Sequence, residues 1–166
     1  MLSETHMMSQ SQGGRAEDRG LGSITQMDMK YEFYTMEGLH VMLYRKAITK
    51  LNVDAIVNAT NDELLNIGGV AEVIERAAGS QMKRDCKDII RTIGKVQEGN
   101  NVTTSAGSLN YKAVIHAVGP RWYDHQDKSQ CLNILRDTII NILITARGQR
   151  YKSVAMPPIS SGLYNQ

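Results

Sequence analysis

The chain has 166 residues, 42% of them apolar, and a formal net charge of +2; that is enough for one domain with its own core and too little for two. Lys and Arg are scattered along the chain, so an electrostatic grip on nucleic acid is not indicated and a neutral or small anionic partner is favoured. No segment has the apolar core of a signal peptide, and no apolar run approaches the ~20 residues of a membrane span. Cys86 and Cys131 fall inside helical patterns without metal-ligand spacing. They read as reduced, buried thiols of an intracellular protein, expected in the cytoplasm or nucleus, with no metal and no membrane partner.

Residues 1–28 are polar, with glycines among Ser, Gln and mixed charges, and they show no periodicity that would bury a face. A disordered tail is expected there, followed by a single domain over 29–166. Tyr31, Phe33 and Tyr34 suggest a first strand, Glu37-Gly38 a turn, and Leu39 to Tyr44 a second strand. A short connection over Thr49 to Asn52 leads into Asp54 to Asn58, a strand suited to the centre of a sheet. From Val70 the pattern becomes helical, with Val70, Val73, Ile74 and Ala77 on one face and a stop at Gly79. A second helix runs from Ser80 through Met82, Cys86, Ile89, Ile90 and Ile93 to Gly94. Strand signals return at Val102 to Ser105 and at Ala113 to Val118, before Gly119-Pro120 breaks the pairing. The longest helix is expected from Ser129 to Ala146, with Leu132, Leu135, Ile139, Ile142, Leu143 and Ala146 facing a sheet. Ser153 to Met156 is a last strand, ended by Pro157-Pro158. Alternating strands and helices without an internal repeat predict an α/β fold, with a mixed central sheet and helices on both faces.

Ligands in such sheets bind beyond the carboxyl ends of strands, where the Asn58 to Val70 loop and the Ile159 to Gly162 loop are both expected. Gly68 and Gly69 stand directly before a helix, so their N–H groups and the helix start suit an anion. Taken alone, Gly68-Gly69 is a tight turn into a helix and Ser160-Ser161-Gly162 a surface turn. Facing each other, they suit the two phosphates of a diphosphate, with Asn61 able to donate to and accept from ribose hydroxyls. His116, in the middle of an apolar strand, reads as a hydrogen-bonded core histidine in preference to a base.

The segments Val53 to Asn61, Gly68-Gly69-Val70, Val114 to Pro120 and Ile159-Ser160-Ser161-Gly162 together resemble the macrodomain family in sequence and order. The match covers about 39 to 164, and the run from His116 to Trp122 is most similar to macrodomains of the multi-macrodomain members of the poly(ADP-ribose) polymerase family. The resemblance implies a three-layer α/β/α module that binds ADP-ribose, free or as mono-ADP-ribose on proteins, as a ligand and with no separate cofactor. By it, Asn61 lies by the distal ribose, Gly68, Gly69 and Val70 line one side of the diphosphate, and Ser160, Ser161, Gly162 and Leu163 line the other. Tyr164 matches the aromatic position against the nucleotide. No transferase domain is expected within these residues.

The departures carry as much information. Macrodomains place an Asp where this chain has Ala47, within Lys46-Ala47-Ile48-Thr49. Losing the hydrogen bond that this carboxylate accepts from the adenine amino group costs on the order of 1 to 3 kcal/mol, or roughly ten- to a hundredfold in affinity. Hydrolytic macrodomains of one class carry an Asp just after the glycines to position a water, and here that residue is Ala71. Neighbouring Glu72 is displaced by about 100° around a helix, so it is a poor substitute. No catalytic residue is assigned; a weak non-catalytic binder is expected, with an ADP-ribosyl hydrolase as the alternative and a ligand-dead interaction fragment as a third. Macrodomains continue past the Ser-Ser-Gly loop with a further strand and helix, whereas this chain stops at Asn165-Gln166. A sheet lacking that last strand and helix is the corresponding expectation.

Overall fold

The computed structural model describes residues 5–10 and 29–161. Seven strands form one mixed sheet: β1 (Thr5–Gln10), β2 (Met29–Tyr34), β3 (Leu39–Tyr44), β4 (Ala55–Ala59), β5 (Asn101–Thr104), β6 (Ala113–Ala117) and β7 (Ser153–Met156), in the order β2-β3-β1-β7-β4-β6-β5. The three helices are α1 (Gly69–Ala78), α2 (Ser80–Ile93) and α3 (Lys128–Gly148). The first hairpin, the short connection (a 3-10 turn at Ile48–Lys50) and the later elements follow the sequence expectations to within a residue or two.

One expectation is corrected. The tail expected over residues 1–28 contains β1, which pairs antiparallel with β3 on one side and β7 on the other. Backbone pairing on both sides satisfies the strand's N–H and C=O groups, and that gain does not depend on the apolar content by which the sequence was read. The rest of that stretch lies outside the described residues.

β4, β6 and β7 run parallel, with Asn58 level with His116 and Ala55 level with Val154. Their starts are stapled by Asp54, whose carboxylate takes the Lys152 N–H at 2.6 Å and the Lys112 ammonium at 2.8 Å. Burial pushes the Asp54 carboxyl up, but these two partners hold it below the usual carboxylate range. Alternate residues of the central strands then face two cores. Ile56, Val114 and Ala155 pack under α1 and α2 with Ile74, Met82 and Cys86. Ala55, Val57, Ile115 and Ala117 pack against Ile142 and Ala146 of α3 on the opposite face. The result is the expected three layers, with the parallel strands' carboxyl ends gathered at one edge.

One helical face is rotated from expectation. In α1 the buried residues are Ala71, Ile74 and Ala78, while Val73 is 49% exposed. Small alanines let the helix backbone approach the sheet, which the larger Val73 does not allow. In α3 the expected face holds except at Leu132, which is 56% exposed: Ile142 and Ala146 are buried, Leu135, Ile139 and Leu143 pack against the same core, and Cys131 and Thr138 are buried with them. Thr138 can be buried because its hydroxyl donates to the Ile134 carbonyl at 2.8 Å. Ile93, expected on the buried face of α2, is also exposed.

The α1 assignment is tested by two substitutions read from denaturant unfolding midpoints. Ile74→Ala is expected to cost about 2 to 5 kcal/mol, because Ile74 is fully buried. Val73→Ala is expected to cost less than about 1 kcal/mol; equal costs would return the helix to the face read from the sequence.

Candidate ligand cleft

The apolar run of β4 ends in Asn58, fully buried on the α1/α2 side of the sheet. Its side-chain amide donates to Asn66 Oδ1 at 2.7 Å and to His116 Nδ1 at 3.0 Å. Because His116 Nδ1 accepts, Nε2 carries the proton and donates to Thr104 Oγ1 at 2.8 Å, while the Thr104 hydroxyl donates onward to the Ser105 carbonyl at 3.0 Å. Asn66 in turn donates to Glu75 Oε2 at 2.9 Å, and Glu75 is paired with Lys83 at 3.2 Å. Burial lowers the His116 pKa to about 4, against smaller opposing effects of Asp85 and Glu75, so the ring is neutral at pH 7. The core-histidine reading is the one the geometry supports. Burial likewise pushes the Cys86 thiol, 3.7 Å from this ring, up to about 11, which leaves it an inert core side chain.

After Thr60, whose N–H donates to the Ala117 carbonyl at 3.0 Å, the chain leaves the sheet. Asn61 Oδ1 accepts the N–H groups of Glu63 at 3.2 Å and Leu65 at 2.8 Å, and so shapes the loop. Both lone pairs of that oxygen are engaged. The expectation that Asn61 both donates and accepts at the cleft is therefore corrected: only its NH2 group is available. Leu64 turns back at φ 54° and buries its side chain, leaving Leu65 and Ile67 outside. Gly68 and Gly69 then adopt φ 74° and 58°, values that favour glycine, and α1 begins without a side-chain cap. The N–H groups of Gly69, Val70 and Ala71 consequently have no acceptor among the described residues.

The second loop follows β7. Since β7 neighbours β4 and runs parallel to it, this loop leaves the same edge of the sheet as the first. Ile159 is buried, Ser160 sits at φ 59°, and Ser161 Oγ donates to the Pro158 carbonyl at 2.9 Å. Ser160 Oγ is buried with no hydrogen-bond partner. The loop presses on Gly119 so closely that a Cβ there would collide with the Ile159 and Ser160 side chains. Sequence reasoning used Gly119 only as a strand breaker and missed this contact; the available signal was a glycine directly after an unbroken buried strand. Gly162, Leu163 and Tyr164 lie outside the described residues, so of the expected second wall only Ser160 and Ser161 are placed. Beside Gly119 a cavity of about 500 Å³ opens among Asp62, Lys95, Glu98 and Arg121.

The positions that depart from the family pattern lie among the described residues. Ala71 is buried against the sheet, and Glu72 points away to Arg76, 2.5 Å from its guanidinium. Ala47 is exposed at the start of the 3-10 turn.

Residues 57–166 match the Macro domain family. The chain belongs to that family. Over 127 residues it is 37% identical to a human protein named protein mono-ADP-ribosyltransferase PARP14, covering 76% of this chain and 7% of that protein. Over 117 residues it is 44% identical to a protein of Escherichia fergusonii named O-acetyl-ADP-ribose deacetylase, covering 70% of this chain and 65% of that one. The chain thus spans just under two thirds of the bacterial relative and a small part of the human one. Among solved structures it resembles the Oceanobacillus iheyensis macrodomain with ADP, at TM-score 0.68 and 31% identity, covering 73% of this chain and 64% of that one. A mutant of the same bacterial macrodomain, solved with ADPR, aligns at TM-score 0.65 and 29% identity, covering 73% and 66%. The macrodomain fold therefore stands on sequence and structure alike, with both loops leaving the same edge of the sheet and Ser160 and Ser161 lining a cavity with Trp122 and Leu135.

The buried ring of this macrodomain generates a pH dependence. His116 binds a proton at about 4 when folded and near 6.5 when unfolded, so stability is undiminished above about 6.5 and falls as the pH drops toward 4. Between pH 7 and 4.5 this group is expected to remove about 2 to 3 kcal/mol of unfolding free energy. Urea titrations at the two pH values check it: His116→Gln is expected to flatten that part of the profile.

Proposed function

We propose that this macrodomain binds ADP-ribose, free or as mono-ADP-ribose carried on a protein, as a reader without catalysis. The observation that carries the reading is the uncapped start of α1 at Gly68-Gly69-Val70, where backbone N–H groups at a positive helix end have no acceptor. Such an end favours phosphate oxygens. The unpartnered Ser160 Oγ on the neighbouring loop can donate from the second side, and in this reading the NH2 of Asn61, whose oxygen is engaged by its own loop, donates to a ribose hydroxyl. Gly162, Leu163 and Tyr164 complete the proposed site. The bacterial relatives solved with ADP and with ADPR support this ligand class. The site is one for a ligand, with ADP-ribose in no cofactor role, and two buried free cysteines suit a reader in the cytoplasm or nucleus.

Two features point to weak, non-catalytic binding. Exposed Ala47 offers no acceptor to an adenine amino group. Next to the glycines Ala71 has no carboxylate, and that of Glu72 is turned to Arg76. A second reading, removal of an acyl or protein group from ADP-ribose, is favoured by the 44% identity to a protein named O-acetyl-ADP-ribose deacetylase.

Calorimetric titration with ADP-ribose tests the reading. Saturable binding is expected, with Ala47→Asp tightening it roughly tenfold or more. The absence of heat at millimolar ligand, in a chain that melts cooperatively, would overturn the reader and leave a ligand-dead interaction module. Incubation with O-acetyl-ADP-ribose and with mono-ADP-ribosylated protein is expected to release nothing; release would establish the second reading.

A further inference from the structure

Behind the first loop lies a second trough, which shares Lys95 with the cavity beside Gly119. It has a volume of about 680 Å³ and runs between the Glu63–Ile67 stretch and the outer side of α2. Its inner wall is aliphatic: buried Leu64, half-buried Ile90, and above them Leu65 and Ile67, which are 48% and 74% exposed. Two large aliphatic side chains are held outward at the lip because Leu64 takes the buried position of this loop.

The other wall is a rail of cations. Lys83, Lys87 and Arg91 recur every four residues along α2, and Lys95 continues the series just past the Gly94 cap. Four-residue spacing keeps them on one side of the helix, over about 12 Å from Lys83 to Arg91. Against these four cations the trough holds two carboxylates, Glu63 and Glu75. The ends of the rail are paired, Lys83 with Glu75 at 3.2 Å and Lys95 with Glu63 at 2.8 Å and Asp62 at 3.1 Å. Lys87, in the middle, has no ion-pair partner among the described residues, and Arg91 reaches only Asp88 of its own helix, at 3.0 Å. The middle of the rail, Lys87 and Arg91, therefore sets two cations against the one carboxylate of Asp88 beside an aliphatic wall.

We propose that the trough is a docking site for an acidic amphipathic helix of a partner protein. A helix laid along α2 would place apolar side chains, at three- and four-residue spacing, against Leu65, Ile67 and Ile90. Carboxylates at four-residue spacing on its flank would meet Lys87 and Arg91, which supply the charge complementarity that selects and orients it. Single-stranded RNA fits less well, because no aromatic side chain lines the trough for a base to stack on. The proposal stands independently of the ADP-ribose reading, since Leu65, Ile67, Lys87, Ile90 and Arg91 are not among the residues proposed to hold the nucleotide.

The test uses the full chain and a fluorescein-labelled synthetic peptide of about 14 residues, with Leu at three- and four-residue spacing and Glu between, read by fluorescence anisotropy. Saturable binding that weakens with added salt is expected. Lys87→Glu combined with Arg91→Glu is expected to weaken it at least about tenfold, and so, separately, is Ile67→Ser; these side chains are exposed, and unchanged melting curves would show the variants folded. A peptide with Gln in place of Glu is expected to bind at least about tenfold more weakly. Lack of saturable binding, equal binding by the folded variants, or displacement of the peptide by a single-stranded RNA oligomer that binds more tightly would each overturn the proposal.

Discussion

Asn58 Nδ2 has two protons, and gives one to His116 and the other to Asn66. From that amide a continuous line of hydrogen bonds runs through His116 to Thr104 in one direction and through Asn66 to Glu75 in the other. It crosses β5, β6, β4, the first loop and α1, so it ties the sheet to the loop that forms the cleft. The line has a fixed polarity. A proton on His116 Nδ1 would set two donors against each other, and burial keeps that proton away. Removing any one member leaves a buried partner unpaired, at a cost of about 1 to 3 kcal/mol. The loop therefore cannot drift from the strand without breaking bonds that have no replacement in the core.

The same edge holds the polar atoms that the fold leaves unsatisfied. Among the described residues, the buried side-chain atoms without a hydrogen-bond partner are Asn58 Oδ1, Thr60 Oγ1 and Ser160 Oγ. Two lie at the end of β4 and one on the loop after β7. Unsatisfied buried groups are scarce in folded proteins, and where they gather they mark places at which something other than packing has shaped the sequence. Four positive-φ residues in the two loops, Leu64, Gly68, Gly69 and Ser160, add backbone conformations that a purely structural turn need not use.

The strands and helices were legible because alternation and helical spacing report directly on burial. The face of α1 was less so. Val70, Val73, Ile74 and Ala77 and the observed Ala71, Ile74 and Ala78 both satisfy helical spacing, and only the close approach permitted by two alanines decides between them. β1 was invisible, because a strand paired on both sides gains from backbone bonds that composition does not record. At the cleft, the glycines and Ser160 were readable from their place after strands. The engagement of Asn61 Oδ1 by its own loop and the pressure of Ser160 on Gly119 were not, since both depend on how the chain turns after it leaves the sheet.

The first loop serves two surfaces with one backbone. Asn61 fixes its start through Glu63 and Leu65, and the glycines fix its end at the helix. Between them Leu64 plugs the core, so Asn66 can reach Asn58 while Leu65 and Ile67 are held outward. The loop carries the donors proposed for the nucleotide, while its aliphatic groups line the trough against α2. Every anchor of this loop is shared: Asn66 bonds to Asn58 and Glu75, and Glu75 also pairs with Lys83 at the head of the cationic rail. A shift of the loop that tightened one surface would pull on these same bonds and be felt at the other. Any free-energy coupling between occupants of the two surfaces must then act equally in both directions.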